Sequence, residues 1–133
     1  MSKPYILCVD DDKTILISLK AQLKYGLGDA FSYEVAESAE EAWEVIEDLL
    51  SDGKKISVII SDWLMPITKG DEFLISVHEK YPDIIKLMLT GHADMDAINR
   101  TKQQANLCGC LIKPWTVDEL VITITSALES QNE

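Results

Sequence analysis

Four short apolar runs of this chain each end at a side chain that carries a carboxylate, a hydroxyl or an ammonium group. The runs are Tyr5 to Val9 before three aspartates, Ile56 to Ser61 before Asp62, Ile84 to Leu89 before Thr90, and Leu111 to Ile112 before Lys113. Helical patterns separate the runs, which predicts an α/β domain built on a parallel sheet. Because parallel strands end at one edge of a sheet, the polar side chains are expected to converge there.

The composition is that of a globular domain with a substantial core. Of the 133 residues, 47% are hydrophobic and 26% are charged, so we expect one domain spanning residues 1–133. Twelve basic residues against 23 acidic ones give a net charge of -11, which disfavours direct binding to nucleic acid or to an anionic membrane. The sequence has neither a signal-peptide core nor an apolar run long enough to span a bilayer, so a cytoplasmic location is expected.

Local signals place the helices between the strands. The first helix is predicted to begin near Asp12 and to end at Gly26 and Gly28. Capping boxes begin the second and the last helix, with Ser38 paired to Glu41 and Thr116 paired to Glu119. The helix predicted over Asp94 to Asn106 has a weak apolar face and is expected to be held least firmly. Ile122 lies off the apolar stripe of the last helix and is expected to be exposed.

Apolar patterning also ranks the strands by burial. Phe31 to Val35 alternates apolar and polar residues, which is typical of an edge strand. Ile56 to Ile60 is nearly continuous and β-branched, which predicts a central strand buried on both faces. The cysteines at positions 8, 108 and 110 lack the paired spacing of a zinc site. We interpret them as core residues in a reducing compartment, with a redox role for Cys108 and Cys110 as the alternative.

Three consecutive aspartates at the end of the first strand require compensation of their charge. Mutual repulsion raises their proton affinity unless a cation is present, and an all-oxygen ligand set favours Mg²⁺. Asp12 is interpreted instead as the cap of the first helix. Taken singly, Asp62 could be a turn residue, Thr90 a loop hydroxyl and Lys113 a surface lysine. Their joint occurrence at successive strand ends favours a functional site.

The sequence around these strand ends resembles a known family. The segments are Val9-Asp10-Asp11-Asp12, Ser61-Asp62-Trp63-Leu64-Met65-Pro66 with Gly70, Leu89-Thr90-Gly91 and Ile112-Lys113-Pro114. In this order they resemble the CheY-like receiver domains of response regulators, over essentially the whole chain. The resemblance implies a doubly wound, flavodoxin-like (βα)5 sandwich whose five-stranded parallel sheet has the order 2-1-3-4-5.

The resemblance also implies a function in a two-component (phosphorelay) system. A sensor histidine kinase or a phosphotransfer protein is the implied donor of a phosphoryl group, and Mg²⁺ is the implied cofactor. The resemblance implies that Asp11 and Asp62 bind the metal directly, that Asp10 binds it through water, and that Leu64 contributes its backbone carbonyl. Asp62 is also the implied acceptor of the phosphoryl group. Lys113 is the implied phosphate contact, and Thr90 the implied switch hydroxyl.

Further positions bear on regulation rather than on the transfer itself. Leu64 and His92, two residues after Asp62 and Thr90, are expected to set the lifetime of the phosphorylated state by controlling water access. His92 could equally be an ordinary loop histidine. Cys110 stands where the family usually has an aromatic switch residue, which puts aromatic gating in doubt. The chain is expected to be a signalling switch rather than an enzyme. It is also expected to form a phosphorylation-dependent homodimer through its last two helices.

An enzyme is the main alternative. Asp10-Asp11-Asp12-Lys13-Thr14 also fits the D-x-D-x-T opening of haloacid-dehalogenase-like phosphohydrolases, in which Asp10 would be the nucleophile. Those enzymes need another acidic motif on a strand after the lysine, and this hypothesis leaves Asp62 without a role. A flavodoxin-like cofactor module would need a phosphate-binding loop after the first strand, where three aspartates would repel phosphate.

Overall fold

Strands and helices alternate along the chain in a computed structural model that describes residues 3–91 and 95–131. The strands are β1 (Tyr5–Val9), β2 (Ser32–Ala36), β3 (Ile56–Asp62), β4 (Ile85–Thr90) and β5 (Gly109–Ile112). The helices are α1 (Lys13–Leu27), α2 (Ala39–Ser51), α3 (Gly70–Lys80), α4 (Met95–Ala105) and α5 (Val117–Gln131). Every strand pairing is parallel and the order is β2-β1-β3-β4-β5, which confirms the predicted α/β fold and the order that the resemblance implied.

The sheet separates two apolar cores, because successive side chains of a strand point to opposite faces. In β3, Ile59 packs in the core that contains α2, α3 and α4, whereas Val58 and Ile60 pack in the core that contains α1 and α5. All seven residues of β3 are buried, which confirms its predicted central position. Helices therefore cover both faces of the sheet, as a doubly wound fold requires. Within the described residues, no helix combines the length and the apolar character that crossing a bilayer needs.

The first helix begins as predicted but ends later. The Asp12 side chain accepts hydrogen bonds from the backbone N–H of Thr14 at 2.9 Å and of Ile15 at 3.4 Å, which confirms it as the cap. Gly26 lies inside α1, so the prediction that it ends the helix is wrong. The reason is tertiary: Val121 of α5 packs so closely over Gly26 that a Cβ atom there would overlap it. Gly28 ends the helix with a φ of 63°.

The two predicted capping boxes lie at the starts of α2 and α5. The Ser38 hydroxyl accepts from the Glu41 N–H at 3.0 Å. The Thr116 hydroxyl accepts from the Glu119 N–H at 3.1 Å, and the Glu119 carboxylate accepts from the Thr116 N–H at 3.4 Å. These bonds satisfy backbone donors that the first helical turn leaves without partners, so local sequence alone fixes both starts.

In three elements the boundaries differ from prediction by one residue. Strand β2 lies at the edge of the sheet as expected but begins at Ser32, because Phe31 follows a short 3-10 turn at Gly28–Ala30. Strand β4 covers Ile85–Thr90, so Thr90 is the last residue of the strand. Helix α4 ends at Ala105, and Asn106 follows with a φ of 51°. The predicted first residue of that helix, Asp94, lies outside the described residues.

The cysteines occupy three different environments. Cys8 is buried, and burial raises the pKa of its thiol to about 12. Cys110 is half-buried, and burial raises the pKa of its thiol as well. Cys108 is exposed, so its interpretation as a core residue is wrong; it precedes β5, at the edge of the sheet where that strand begins. All three are free thiols.

A buried lysine that the sequence pattern did not reveal lies near the start of β4. Lys86 is 1% exposed, and its Nζ lies 2.9 Å from His78 Nδ1 and donates to the Pro82 carbonyl at 3.1 Å. Burial lowers the pKa of Lys86, since the charged form loses solvation. His78 is half-buried beside this lysine. The cluster lies at the edge of the sheet opposite to the strand ends that carry the aspartates.

Candidate functional site

The register of the sheet brings the predicted polar residues to one edge. Val9 of β1 pairs with Ser61 of β3, so the residues that follow, Asp10 and Asp62, are neighbours. On the other side of β3, Asp62 pairs with Leu89, one residue before Thr90. Thr90 in turn pairs with Ile112, one residue before Lys113. The convergence predicted from the four strand ends is therefore present.

Three carboxylates form a compact cluster at this edge. One side-chain oxygen from each of Asp10, Asp11 and Asp62 lies within 4.8 Å of the other two. Asp10 is 1% exposed and Asp62 is 6% exposed, whereas Asp11 faces solvent. Two buried oxygens beside one solvent-facing oxygen leave an open side for water and substrate. This hard, all-oxygen donor set fits a divalent cation such as Mg²⁺.

Lys113 reaches across the ends of the strands and joins two of these carboxylates. Its Nζ lies 3.1 Å from Asp62 Oδ1 and 3.2 Å from Asp10 Oδ2. The backbone holds the residue in place, since the Lys113 N–H donates to the Thr90 carbonyl at 2.8 Å and the following peptide bond to Pro114 is cis. The Lys113 ammonium group therefore lies close enough to contact a charged group that is bonded to Asp62.

Asp10 and Asp62, the two buried carboxylates of the cluster, hold protons more tightly than usual. Burial raises the pKa of Asp62, and the charge of Asp10 raises it further. Burial likewise raises the pKa of Asp10, although the Asp12 N–H, which donates to Asp10 Oδ1 at 2.9 Å, and Lys113 oppose the shift. Repulsion was the predicted cause, but desolvation is the larger one. Burial disfavours the charge on Lys113, but its bonds to Asp62 and Asp10 outweigh this and raise its pKa.

The remaining predicted residues surround the cluster to different extents. Thr90 is 2% exposed and ends β4 beside β3. Leu64 is 52% exposed in the loop after β3, two residues from Asp62. Cys110 is half-buried in β5 and packs against the core that contains α3 and α4. His92 lies outside the described residues.

The loop between β3 and α3 closes tightly behind Asp62. The Trp63 N–H donates to the Leu89 carbonyl at 2.9 Å, and the Gly70 N–H donates to the Trp63 carbonyl at 2.8 Å. A Cβ atom on Gly70 would overlap the backbone carbonyl of Asp62, so only glycine fits there. The start of α3 is thereby held directly against the end of β3.

Sequence reasoning missed Asp71, which follows Gly70. Its side chain is buried and pairs with Arg100 of α4 at 2.9 Å between Oδ2 and Nη2. An acidic residue in the first turn of a helix is common, so nothing in the local pattern singles Asp71 out. Its partner lies 29 positions away on another helix, and no local pattern connects the two residues.

Comparison with known proteins places these features in a family context. The sequence model described as the response regulator receiver domain matches residues 6–125. The hydrogenase transcriptional regulatory protein HoxA of Cupriavidus necator is 30% identical over 126 residues, which cover 95% of this chain and 24% of HoxA. The chain thus spans about a quarter of the length of this curated relative.

Solved structures agree with the sequence match. The signal receiver domain of an HD domain-containing protein from Pseudomonas fluorescens Pf-5 superposes with a TM-score of 0.85 at 27% identity and covers 98% of both chains. The beryllofluoride-activated NtrC4 receiver domain dimer gives a TM-score of 0.81 at 28% identity, covering 96% of this chain and 98% of that one. Both similarities cover at least 96% of this chain.

Proposed function

The chain belongs to the response regulator receiver domain family, and from this membership we propose that it accepts a phosphoryl group on Asp62 from a sensor histidine kinase or a phosphotransfer protein. Receiver domains of this family are signalling switches of two-component systems. The observation that best supports Asp62 as the acceptor is its contact with Lys113 at 3.1 Å, inside a cluster of three carboxylates. The residue is buried enough to be held in one orientation and lies beside the open side of the site.

Phosphoryl transfer makes two demands that these residues meet. A carboxylate oxygen of Asp62 attacks phosphorus in line, and the bond from phosphorus to the donor nitrogen breaks, returning its electron pair to the imidazole of the donor histidine. The oxygens of the transferring group carry negative charge throughout. Lys113 is placed to donate a hydrogen bond to one of them, which stabilises the transition state.

Receiver domains bind Mg²⁺ at an acidic cluster of this kind. In the proposed arrangement Asp11 and Asp62 hold the ion directly, Asp10 holds it through water, and Leu64 contributes its backbone carbonyl. When bound, Mg²⁺ supplies positive charge that offsets the charge of the carboxylates and of the transferring oxygens. Burial and the mutual repulsion of the aspartates raise the pKa values of Asp10 and Asp62, and a bound cation would oppose both effects.

Thr90 is proposed as the residue that senses phosphorylation. Its hydroxyl would donate to an oxygen of the aspartyl phosphate and draw the end of β4 toward Asp62. Residues 91–94 connect Thr90 to α4, so the displacement would pass to that helix. Leu64 and His92 would set the lifetime of the phosphorylated state by controlling the access of water. The half-buried thiol of Cys110 cannot act as the aromatic gate, so the response of α4 must depend on other contacts.

The proposed scope of the chain is one receiver domain over residues 1–133, acting as a switch rather than as an enzyme on an external substrate. The chain spans 24% of the length of HoxA, so no output activity is proposed for it. Similarity to the NtrC4 receiver domain dimer supports the proposal that this chain forms a homodimer when it is phosphorylated.

Intact-mass measurement tests the acceptor. With acetyl phosphate and Mg²⁺, the wild-type chain is expected to gain one phosphoryl group, and Asp62→Asn is expected to gain none. Asp12→Ala is the matched control, because Asp12 caps α1 and should not be needed for labelling. Labelling that survives Asp62→Asn but disappears in Asp10→Asn would instead support the haloacid-dehalogenase-like phosphohydrolase with Asp10 as its nucleophile. Wild-type protein that takes up no phosphoryl group would contradict the proposal.

A further inference from the structure

An ion pair between α3 and α4 lies one residue from the loop that closes behind Asp62. Arg100 Nη2 donates to Asp71 Oδ2 at 2.9 Å. The two side chains differ in environment: that of Asp71 is 8% exposed and that of Arg100 is 46% exposed. The carboxylate is thus desolvated, and the guanidinium approaches it from the surface. Such a pair is costly to break, because the buried charge then loses its partner.

Backbone contacts connect this pair to the proposed phosphorylation site. Gly70 lies against the Asp62 carbonyl, and its N–H donates to the Trp63 carbonyl at 2.8 Å. Asp71 is the next residue and shares the rigid start of α3. The Asp71–Arg100 pair is therefore a second connection between the site and α4, in addition to residues 91–94.

Polar atoms that already lack partners make Asp71 sensitive to the position of Arg100. Among the residues that the structure describes, Asp71 Oδ1 and the Trp63 indole N–H are buried without a hydrogen-bond partner. Arg100 is therefore the main compensation for the carboxylate of Asp71 within that part of the chain. A displacement of Arg100 Nη2 away from Asp71 by about 1 Å would lengthen the 2.9 Å contact beyond hydrogen-bonding range, so the pair favours the position of α4 in which the two side chains meet.

We propose that the Asp71–Arg100 ion pair holds α4 in its unphosphorylated position and so sets the threshold at which phosphorylation of Asp62 displaces that helix. The proposal rests on the proposed function, since it assumes a phosphorylated state in which α4 moves. A contact made in one arrangement and lost in the other stabilises the first relative to the second. It gives this chain a means of controlling α4 that does not need an aromatic side chain at position 110, where Cys110 stands.

Because such coupling is reciprocal, breaking the pair should tighten binding of a phosphoryl mimic. The test titrates beryllofluoride in the presence of Mg²⁺ and follows the intrinsic tryptophan fluorescence. Trp63, the residue after Asp62, contributes to this signal together with Trp43 and Trp115. Arg100→Gln and Asp71→Asn are each expected to bind beryllofluoride about fivefold more tightly than wild type. The double variant is expected to bind no more tightly than the single variants, because all three lose the same contact.

The matched control removes an ion pair that does not involve α4. Lys80→Gln breaks the exposed contact of Lys80 with Glu47, 3.8 Å long, between α3 and α2, and should leave the affinity unchanged. Thermal melting of each variant separates stability from coupling, since a purely structural pair would lower the melting temperature without changing affinity. If Asp71→Asn fails to fold, Arg100→Gln and Arg100→Lys carry the test, because Arg100 is half exposed.

The outcomes of the titration distinguish a failure of the ion-pair proposal from a failure of the proposed function. Unchanged or weaker binding by the folded variants, with wild type binding normally, would overturn the role of the ion pair while leaving the proposed function intact. Failure of wild type to bind beryllofluoride or to accept a phosphoryl group would instead overturn the proposed function. Tighter binding by Lys80→Gln as well would attribute the effect to charge in general and would also overturn the specific role of Asp71 and Arg100.

Discussion

Two buried carboxylates determine how the site responds to protons and to metal. The pKa values of Asp10 and Asp62 are raised above the ordinary 3.8, chiefly by burial. The folded state therefore binds these protons more tightly than the unfolded state does. The stabilisation from this source is complete below pH 3.8 and is lost as the pH rises through the raised pKa values, so the ionised cluster disfavours folding at neutral pH.

Replacing Asp10 by Asn is expected to raise the melting temperature at pH 7 without Mg²⁺, because one buried negative charge is removed while Lys113 keeps its contact with Asp62. Each kcal/mol gained corresponds to roughly 4 °C for a domain of this size. The advantage over wild type should shrink toward pH 4, where the wild-type carboxyl becomes protonated. Calorimetric melting at both pH values checks this expectation.

Measuring the melting temperature with added Mg²⁺ gives a second test of the same cluster. Saturating Mg²⁺ should raise the melting temperature of the wild type at pH 7, since a ligand that binds only the folded state stabilises it. The rise should be much smaller in Asp10→Asn, and smaller for both proteins at pH 4, where protons compete for the same oxygens. A variant that melts below wild type at pH 7, or that keeps the full response to Mg²⁺, would contradict this account of the cluster.

Local chemistry predicted some residues of the site and not others. Asp12 was predicted correctly as a cap because the bonds that define a cap join residues two and three positions apart. The closeness of Asp10, Asp62 and Lys113 followed from their positions at strand ends. Asp71 was missed because its burial and its bond to Arg100 depend on how α3 packs against α4, which no sequence period encodes.

At the scale of helices and strands, prediction was accurate where burial is periodic and less accurate where a distant contact intervenes. Strand β3 was predicted as central from its unbroken apolar run, because both of its faces are covered. The end of α1 was misplaced because the space over Gly26 is filled by Val121 of α5, about a hundred residues later. The observed boundaries of β2 and β4 differ from the predicted ones by one residue, which is the usual variation at the ends of secondary-structure elements.

The junction of β3 and α3 gives a prediction at this scale. Gly70→Ala would place a methyl group against the Asp62 carbonyl, which is backbone and cannot rotate away. We expect a loss of about 1–3 kcal/mol in the free energy of unfolding, the usual cost of overpacking, and slower labelling by acetyl phosphate, because the end of β3 must shift. Chemical denaturation and the labelling rate measure the two effects.

Gly91→Ala is the matched control for stability, since a Cβ atom at Gly91 would meet nothing within 4 Å among the described residues. It should change the free energy of unfolding by much less than Gly70→Ala does. Equal stability of Gly70→Ala and wild type would mean that the loop relaxes around the extra methyl group. In that case α3 would not be held rigidly against Asp62.

For the molecule as a whole, alternation of strand and helix patterns predicted an α/β sheet but did not determine its order. The order β2-β1-β3-β4-β5 was expected only from the resemblance to receiver domains, and the strand pairing confirms it. Sequence patterns describe which face of an element is apolar, whereas the order depends on which elements share a core. Family resemblance supplied the part of the fold that periodicity leaves open.

Apolar side chains exposed on β5 and α5 lead to a prediction about assembly. Ile112 is 51% exposed and Ile122 is 63% exposed, on two elements that contact each other. With beryllofluoride and Mg²⁺, size-exclusion chromatography is expected to show a shift toward a dimer, because phosphorylation is proposed to displace α4, the helix that precedes β5 in the chain. Ile122→Asp should abolish the shift, since it places a charge in the expected interface.

Ile17→Asp is the control for that experiment, because Ile17 is 71% exposed but lies on α1. It should dimerise as wild type does. An elution volume that beryllofluoride leaves unchanged would exclude dimerisation through α4 and α5 under these conditions. Equal loss in both variants would point to a general effect of added charge on an already acidic chain.

The contrasting environments of the cysteines have a practical consequence for spectroscopy. Cys8 is buried with a pKa of about 12, and burial also raises the pKa of Cys110, so neither thiol reacts readily in the folded protein. Cys108 is exposed and directly precedes β5, so it lies where the strands begin, whereas Asp62 lies where they end. A maleimide fluorophore or nitroxide added near neutral pH should therefore attach at this one position, so that motions of the native chain can be recorded by a probe distant from the phosphorylation chemistry.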